Sequence, residues 1–426
     1  MLDSLTRGWA IVTAAGVARL GLGFVASIVV ARALGPEDYG VYAVLAATVG
    51  IVGAVAEGGL SEAAVQRMAS VRATAADCAR ERGRQFFWLR LGLAALVIAV
   101  ACGVAGPASG WVLRLPDDGG LLRWALLGVV ATALSGAVAA MLQAIGWFGR
   151  MSAITLANAA LTSVLALGLA AVGQLNLLTA LVVLGIGTSL ASFAVGVWLL
   201  PPAWRPRGPR LADLRAEAGP LLRTGRWLWL ASLCAMLTAN LDVLLLNHWS
   251  PLAGVGAYAL AVSLATKADV VNHSLYTVLL PAASSLGGGR DVGGYLRRGL
   301  VRSALICVPL LALGVVADPL IVFFYGAEFA PAVGLFRLLL GVVACDVVLT
   351  PMLLLPLTYQ RPQVMAAADA LRATTLGVVG AGLIPGYGPV GAVSARLAAK
   401  LAGAALVLLA LQRVATRESW VVRQDS

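Results

Sequence analysis

Residues 9–31 read WAIVTAAGVARLGLGFVASIVVA, a run of 23 positions with one formal charge, Arg19. About 20 mainly apolar residues of helix cross the hydrocarbon core of a bilayer, so this stretch predicts a membrane span. It is too long for the core of a signal peptide and is expected to remain in the mature protein as the first span. Its arginine is the anomaly. A cation near the bilayer centre costs about 2.5–3.5 kcal/mol on the insertion scale, and such residues mark polar interiors.

The same reading, carried along the chain, gives about twelve spans. They lie near 9–31, 41–62, 87–106, 122–145, 151–172, 177–200, 228–248, 256–280, 302–324, 333–357, 363–384 and 389–412. Composition agrees: 60% of residues are hydrophobic and 12% charged, whereas a soluble globular chain carries about 25% charged residues. The net charge of +11 does not indicate nucleic acid binding, because the arginines punctuate apolar runs rather than forming one basic face. The excess of arginine over lysine, with abundant Ala, Gly, Val and Leu, reflects a GC-rich bacterial genome and carries no mechanism.

Loop charge orients the bundle. Connections on one side hold 22 arginines, among them Arg67, Arg72, Arg80, Arg82, Arg84, Arg90, Arg150, Arg207, Arg210, Arg290 and Arg361, against Arg32, Arg114 and Arg123 on the other. Both termini are therefore expected in the cytoplasm. The Pro- and Arg-rich stretch 201–226 divides the chain into an N-terminal six-helix lobe (1–200), a cytoplasmic linker (201–226), a C-terminal six-helix lobe (227–412) and a cytoplasmic tail (413–426). A repeated element supports two lobes: Pro36 is followed by Gly40-x-Tyr42-Ala43, and Pro251 by Gly256-x-Tyr258-Ala259. Six spans per lobe give both the same orientation, hence a parallel pseudo-two-fold repeat.

Five cations stand inside the spans: Arg19, Lys267, Arg372, Arg396 and Lys400. Arg396 and Lys400, four residues apart, share a helix face and repel. Either an anion or buried acid relieves that conflict, or both side chains snorkel to the inner surface. Asp369 and Arg372, at i and i+3, either neutralise each other or face a cavity. The intramembrane acids Glu57, Asp242, Asp269, Asp346 and Asp369 suit ion coupling or pairing with those cations equally well. Span eight carries Ser263, Lys267 and Ser274 on one side and Asp269, Asn272, His273 and Tyr276 on the other, so it is expected to be central.

Other chemistries find no support. Five scattered cysteines form no CxxC pair, and His248 and His273 show no ligand spacing, so neither disulfides nor a metal site is expected. A P-loop needs Gly-Lys-Ser/Thr, and the two lysines follow Thr266 and Ala399. No GxSxG or HExxH motif occurs. The chain reads as a transport protein with no cofactor and no catalytic chemistry.

The run Ala31-Arg32-Ala33-Leu34-Gly35-Pro36-Glu37-Asp38-Tyr39-Gly40-Val41-Tyr42 resembles the first-loop signature of bacterial polysaccharide-biosynthesis, or O-antigen, flippases. Ala239-Asn240-Leu241-Asp242 is similar to that family's Asn-x-Asp element, and Ile384-Pro385-Gly386-Tyr387-Gly388-Pro389 to its turn between spans 11 and 12. Many relatives place a basic residue after the Asp, where this chain has Val243. The family belongs to the multidrug/oligosaccharidyl-lipid/polysaccharide (MOP) exporters, with a MATE-like fold. The resemblance implies an inner-membrane protein that flips an undecaprenyl-diphosphate-linked oligosaccharide between leaflets by alternating access. It implies that Arg19, Lys267, Arg372, Arg396 and Lys400 contact the diphosphate and glycan, with H+ or Na+ as coupling ion and a polymerase or glycosyltransferases as partners. The rivals are a cation-coupled multidrug exporter of the same fold, a membrane glycosyltransferase, for which the outer loops are too short, and a non-transporting scaffold of glycan assembly.

Overall fold

The computed structural model describes residues 2–72, 75–114, 119–206, 208, 211–270, 272, 275, 279, 292–355 and 362–424. Expectations placed on Arg207, Arg210, His273, Ser274, Tyr276, Arg290 and Arg361 lie outside the described residues. Among the described residues regular structure is helical throughout. Nine helices among the described residues are long and apolar enough to cross a membrane, and Leu252–Ala268 is a shorter apolar one.

Two of the nine are double length. Helix α1 runs Leu2–Glu57 and is broken at Gly35, whose φ of 69° and ψ of 176° are not helical. Pro36 follows, and its ring cannot continue the hydrogen-bond ladder. A straight helix of that length would measure about 84 Å, nearly three hydrocarbon cores. Helices α2 (Leu60–Arg72), α3 (Ala76–Gly103), α4 (Gly120–Ile145), α5 (Phe148–Ala171), α6 (Leu177–Leu199), α7 (Leu211–Trp249), α8 (Leu252–Ala268), α9 (Val292–Val315), α10 (Ala317–Tyr325) and α11 (Pro331–Leu353) follow. The second double helix, α12, spans Pro362–Gln424 with its break at Gly388. It is a hairpin: Leu376, Ala395 and Ala399 share one buried cluster, although on a straight helix Leu376 would stand about 30 Å from the other two. With both double helices divided and the shorter Leu252–Ala268 included, the described residues present twelve apolar stretches.

Some boundaries differ from the sequence reading. The ninth span, expected over 302–324, is a helix from Val292 to Val315 and a second from Ala317 to Tyr325. Val316 leaves helical geometry between them, and Pro319, with no N–H to donate, sits in the first turn of the second helix. The third span begins eleven residues earlier than expected, and Arg90, counted with the loop charges although it lies within 87–106, belongs to α3. Residues 211–226 of the expected linker form the start of α7.

The chain separates into two compact units, Met1–Met236 and Leu237–Ser426. In the first, Leu60, Met68, Phe86, Phe87, Met141, Leu142, Trp204 and Leu221 form the buried core. The turn from α1 to α2 uses Gly58 and Gly59, both at positive φ, and Gly59 packs directly on the Gly225 carbonyl of α7. In the second unit, α9 lies along α11. The Ser303 hydroxyl donates to Val347 O at 2.9 Å, and Gly299 leaves room for Pro351. The outward faces carry large apolar side chains such as Leu96, Val172, Trp198, Leu305 and Phe323. Water would penalise apolar patches of that extent, whereas lipid tails solvate them. Both copies of the Pro…Gly-x-Tyr-Ala element open a helix, after Gly35 in α1 and after Pro251 at α8.

Candidate functional site

Three expected cavity cations have carboxylate partners inside the second unit. Asp242 of α7 is wholly buried, and Arg396 of α12 meets its Oδ2 through Nη2 at 2.6 Å and Nε at 2.8 Å. Arg396 Nη2 also donates to Ala239 O at 3.1 Å. The buried Tyr258 hydroxyl of α8 donates to the same carboxylate oxygen, and Val243 N donates to Oδ1 at 2.9 Å. Burying a carboxylate costs several kcal/mol, and this set of charge-assisted bonds offsets it. The counter-ion that Val243 cannot supply thus comes from a residue 154 positions later.

One turn beyond Arg396, Lys400 pairs with Asp346 of α11. Asn272 Nδ2 donates to the same Oδ2 at 3.2 Å, and Thr350 Oγ1 donates to Asn272 Oδ1 at 2.7 Å. The two like charges on one face of α12 are therefore held apart by separate acids on separate helices. Arg372 pairs with Asp369 at 3.1 Å within its own helix. Asp346, Asp369, Arg372, Asn272 and Thr350 line a cavity of about 170 Å³.

Lys267 and Arg19 differ from these. Lys267, near the end of α8, donates to the Ser263 hydroxyl at 2.7 Å and makes no ion pair among the described residues. Arg19 of α1, in the first unit, makes none either, and it borders a cavity of about 400 Å³ walled by Ser135, Thr155, Asn158, Thr162 and Ser192. Asn158 Nδ2 donates to Ser192 Oγ at 2.8 Å. Ser163 Oγ reaches Leu22 O at 2.8 Å, which fastens α5 to the helix carrying Arg19. Asp269 follows the last residue of α8.

Two ion pairs inside the expected spans escaped the sequence reading. Arg90 is almost fully buried in α3 and donates to Glu57 Oε1 at 2.8 Å and to Ala133 O at 3.2 Å. Its position inside the expected third span was the signal that it is not a loop charge. Arg337 of α11 pairs with Asp318 at 2.5 Å; it too lies inside an expected span, and the count of five intramembrane cations omits it. Tyr258 was legible only as part of the repeat. Among the described residues no group of three or more His, Cys, Asp or Glu is placed to hold a metal.

Comparisons place this geometry among known proteins. A family model described as "Polysaccharide biosynthesis protein" matches residues 29–334. A search of curated proteins gave no match. Among solved structures, the chain is similar to a lipid II flippase, MurJ, in an inward closed conformation. The TM-score is 0.77 at 11% identity, over 95% of this chain and 87% of that one. It is also similar to an inward-facing multidrug resistance MATE family transporter of the MOP superfamily, with a TM-score of 0.71 at 15% identity over 94% and 96%. A third similar structure is the Vibrio cholerae MATE transporter VcmN in its bent form, with a TM-score of 0.56 at 15% identity over 98% and 99%. At such identities the likeness establishes the shared fold.

Proposed function

We propose a flippase function for this chain, which belongs to the polysaccharide biosynthesis protein family and has the fold of MOP-superfamily transporters. Its substrate in this reading is a polyprenyl-diphosphate-linked oligosaccharide, moved from the cytoplasmic to the outer leaflet of the bacterial inner membrane by alternating access of the two units. Both termini lie in the cytoplasm, as the loop charges favour.

The observation that carries the reading is a division among the cations. Arg90, Arg337, Arg372, Arg396 and Lys400 each have an acid within ion-pairing distance. Arg19 and Lys267 have none among the described residues. A cation at hydrocarbon depth without an acid beside it is costly, and a diphosphate head group removes that cost when it binds. Glu57, Asp242 and Asp346 then serve as counter-ions that join helices, and Asp369 neutralises Arg372 within one helix. The hydroxyl- and amide-lined cavity beside Arg19 suits hydrogen bonding to phosphate or sugar oxygens.

Proteoliposomes holding the purified chain test this. The expected result is outward exposure of a polyprenyl-diphosphate oligosaccharide with no efflux of a lipophilic cationic dye. Dye efflux without glycan exposure favours a multidrug exporter, and neither activity favours a scaffold of glycan assembly.

A further inference from the structure

The opening turns of α9 carry three arginines that the flippase reading does not use. Gly294, Arg297, Arg298, Val301 and Arg302 line an open groove of about 480 Å³. Arg298 Nε donates to Gly294 O at 3.0 Å, and Arg297 and Arg302 make no ion pair among the described residues. The orientation of the helix is fixed by its other face. Gly299, Ser303 and Cys307 contact Pro351, Val347 and Ala344 of α11. The arginine face therefore points away from α11, and Arg297, Arg298 and Arg302 are exposed. Beyond Arg302 the same exposed face turns wholly apolar through Leu305, Val308, Leu311 and Val315, which is 76% exposed. From Arg302 to Val315 the helix rises about 20 Å, more than the roughly 15 Å depth of one leaflet's hydrocarbon.

A cluster of positive charge that continues directly into a lipid-depth apolar stripe matches one chemistry. The geometry points to a binding site for an anionic phospholipid, with its phosphate held by Arg297, Arg298 and Arg302 and its acyl chains along Leu305, Val308, Leu311 and Val315. Arginine is suited to this role because its planar fork grips a phosphate through two bonds at once. The inference is independent of what the protein transports.

The test uses the purified full chain in detergent, titrated with phosphatidylglycerol or phosphatidylcholine while retained lipids are counted by native mass spectrometry. Wild type is expected to hold phosphatidylglycerol in preference to phosphatidylcholine. The variant R297A/R298A/R302A should bind phosphatidylglycerol about a hundredfold more weakly, roughly fivefold per arginine. The lysine variant R297K/R298K/R302K, which keeps the charge but not the fork, should recover part of that loss, which a folding defect would not allow. A control, R223A/R226A, removes two exposed arginines of α7 and should bind as wild type does. Equal phosphatidylglycerol binding by wild type and R297A/R298A/R302A overturns the proposal. So does displacement of the lipid by inorganic phosphate at equal concentration, which would mark a bare anion site.

Discussion

Asp242 and Arg396 form a buried ion pair that joins α7 to the second arm of α12, with Nη2 and Nε both within 2.8 Å of one carboxylate oxygen. The acid is wholly shielded from solvent, so either partner alone is a stranded charge. Arg396→Leu or Asp242→Leu should each cost about 3–5 kcal/mol. The double replacement Asp242→Leu with Arg396→Leu should cost less than either single one. Thermal unfolding in detergent, followed by tryptophan fluorescence, reads the difference. Costs that simply add would show that the pair does not act as a unit.

The turn at Gly58–Gly59 should tolerate no side chain at its second position. A Cβ on Gly59 would lie 2.3 Å from the Gly225 carbonyl oxygen and 2.6 Å from Trp229 N, at a φ of +64°. Gly59→Ala is expected to destabilise by on the order of 3 kcal/mol. Gly173 has a similar φ of +66° but open space around it, so Gly173→Ala should cost only about 1 kcal/mol. Equal losses of melting temperature for the two would place the whole cost in backbone strain and none in the close contact.

Lys400 and Lys267 should part company under neutral replacement. Lys400 answers Asp346, so Lys400→Met strands an acid and should lower stability by about 3 kcal/mol. Adding Asp346→Asn should restore most of it. Lys267 answers only a hydroxyl and a carbonyl, so Lys267→Met should leave the melting temperature within a few degrees of wild type. A collapse of Lys267→Met would mean that this amine is structural.

Orientation is open to chemical labelling. With Cys102, Cys234, Cys307 and Cys345 replaced by serine, the exposed Cys78 and a new thiol at Gln174→Cys become the two reporters. A membrane-impermeant maleimide applied to intact cells should modify the residue-174 thiol and spare Cys78. The reverse pattern would invert the topology drawn from the arginines.

Much of this molecule was legible in its sequence. The apolar runs gave the helices, because lipid permits only internally hydrogen-bonded backbone. The glycine and proline pairs at Gly35-Pro36 and Gly388-Pro389 marked the two breaks. Pairing was harder to read. Asp242 and Arg396 are 154 positions apart, and Asp346 and Lys400 are 54 apart. No local rule of spacing connects such residues. The i,i+3 pair of Asp369 and Arg372 was visible as one of two alternatives because helical geometry alone suggests it. Arg90 and Arg337 were lost for different reasons: Arg90, near a span end, was counted as a loop charge although it pairs with Glu57, and Arg337 was left out of the count of span cations although it lies within 333–357.

Arg19 and Lys267, neither with an acid partner among the described residues, are each proposed to contact an anionic head group during transport. The direct test is the initial rate of polyprenyl-diphosphate oligosaccharide flipping in proteoliposomes for wild type, Arg19→Ala and Lys267→Ala at matched protein content and melting temperature. Loss of one charge-assisted contact is worth about 1.5–3 kcal/mol, so each variant should be slower by roughly tenfold to a hundredfold. Wild-type rates in both variants would contradict the account.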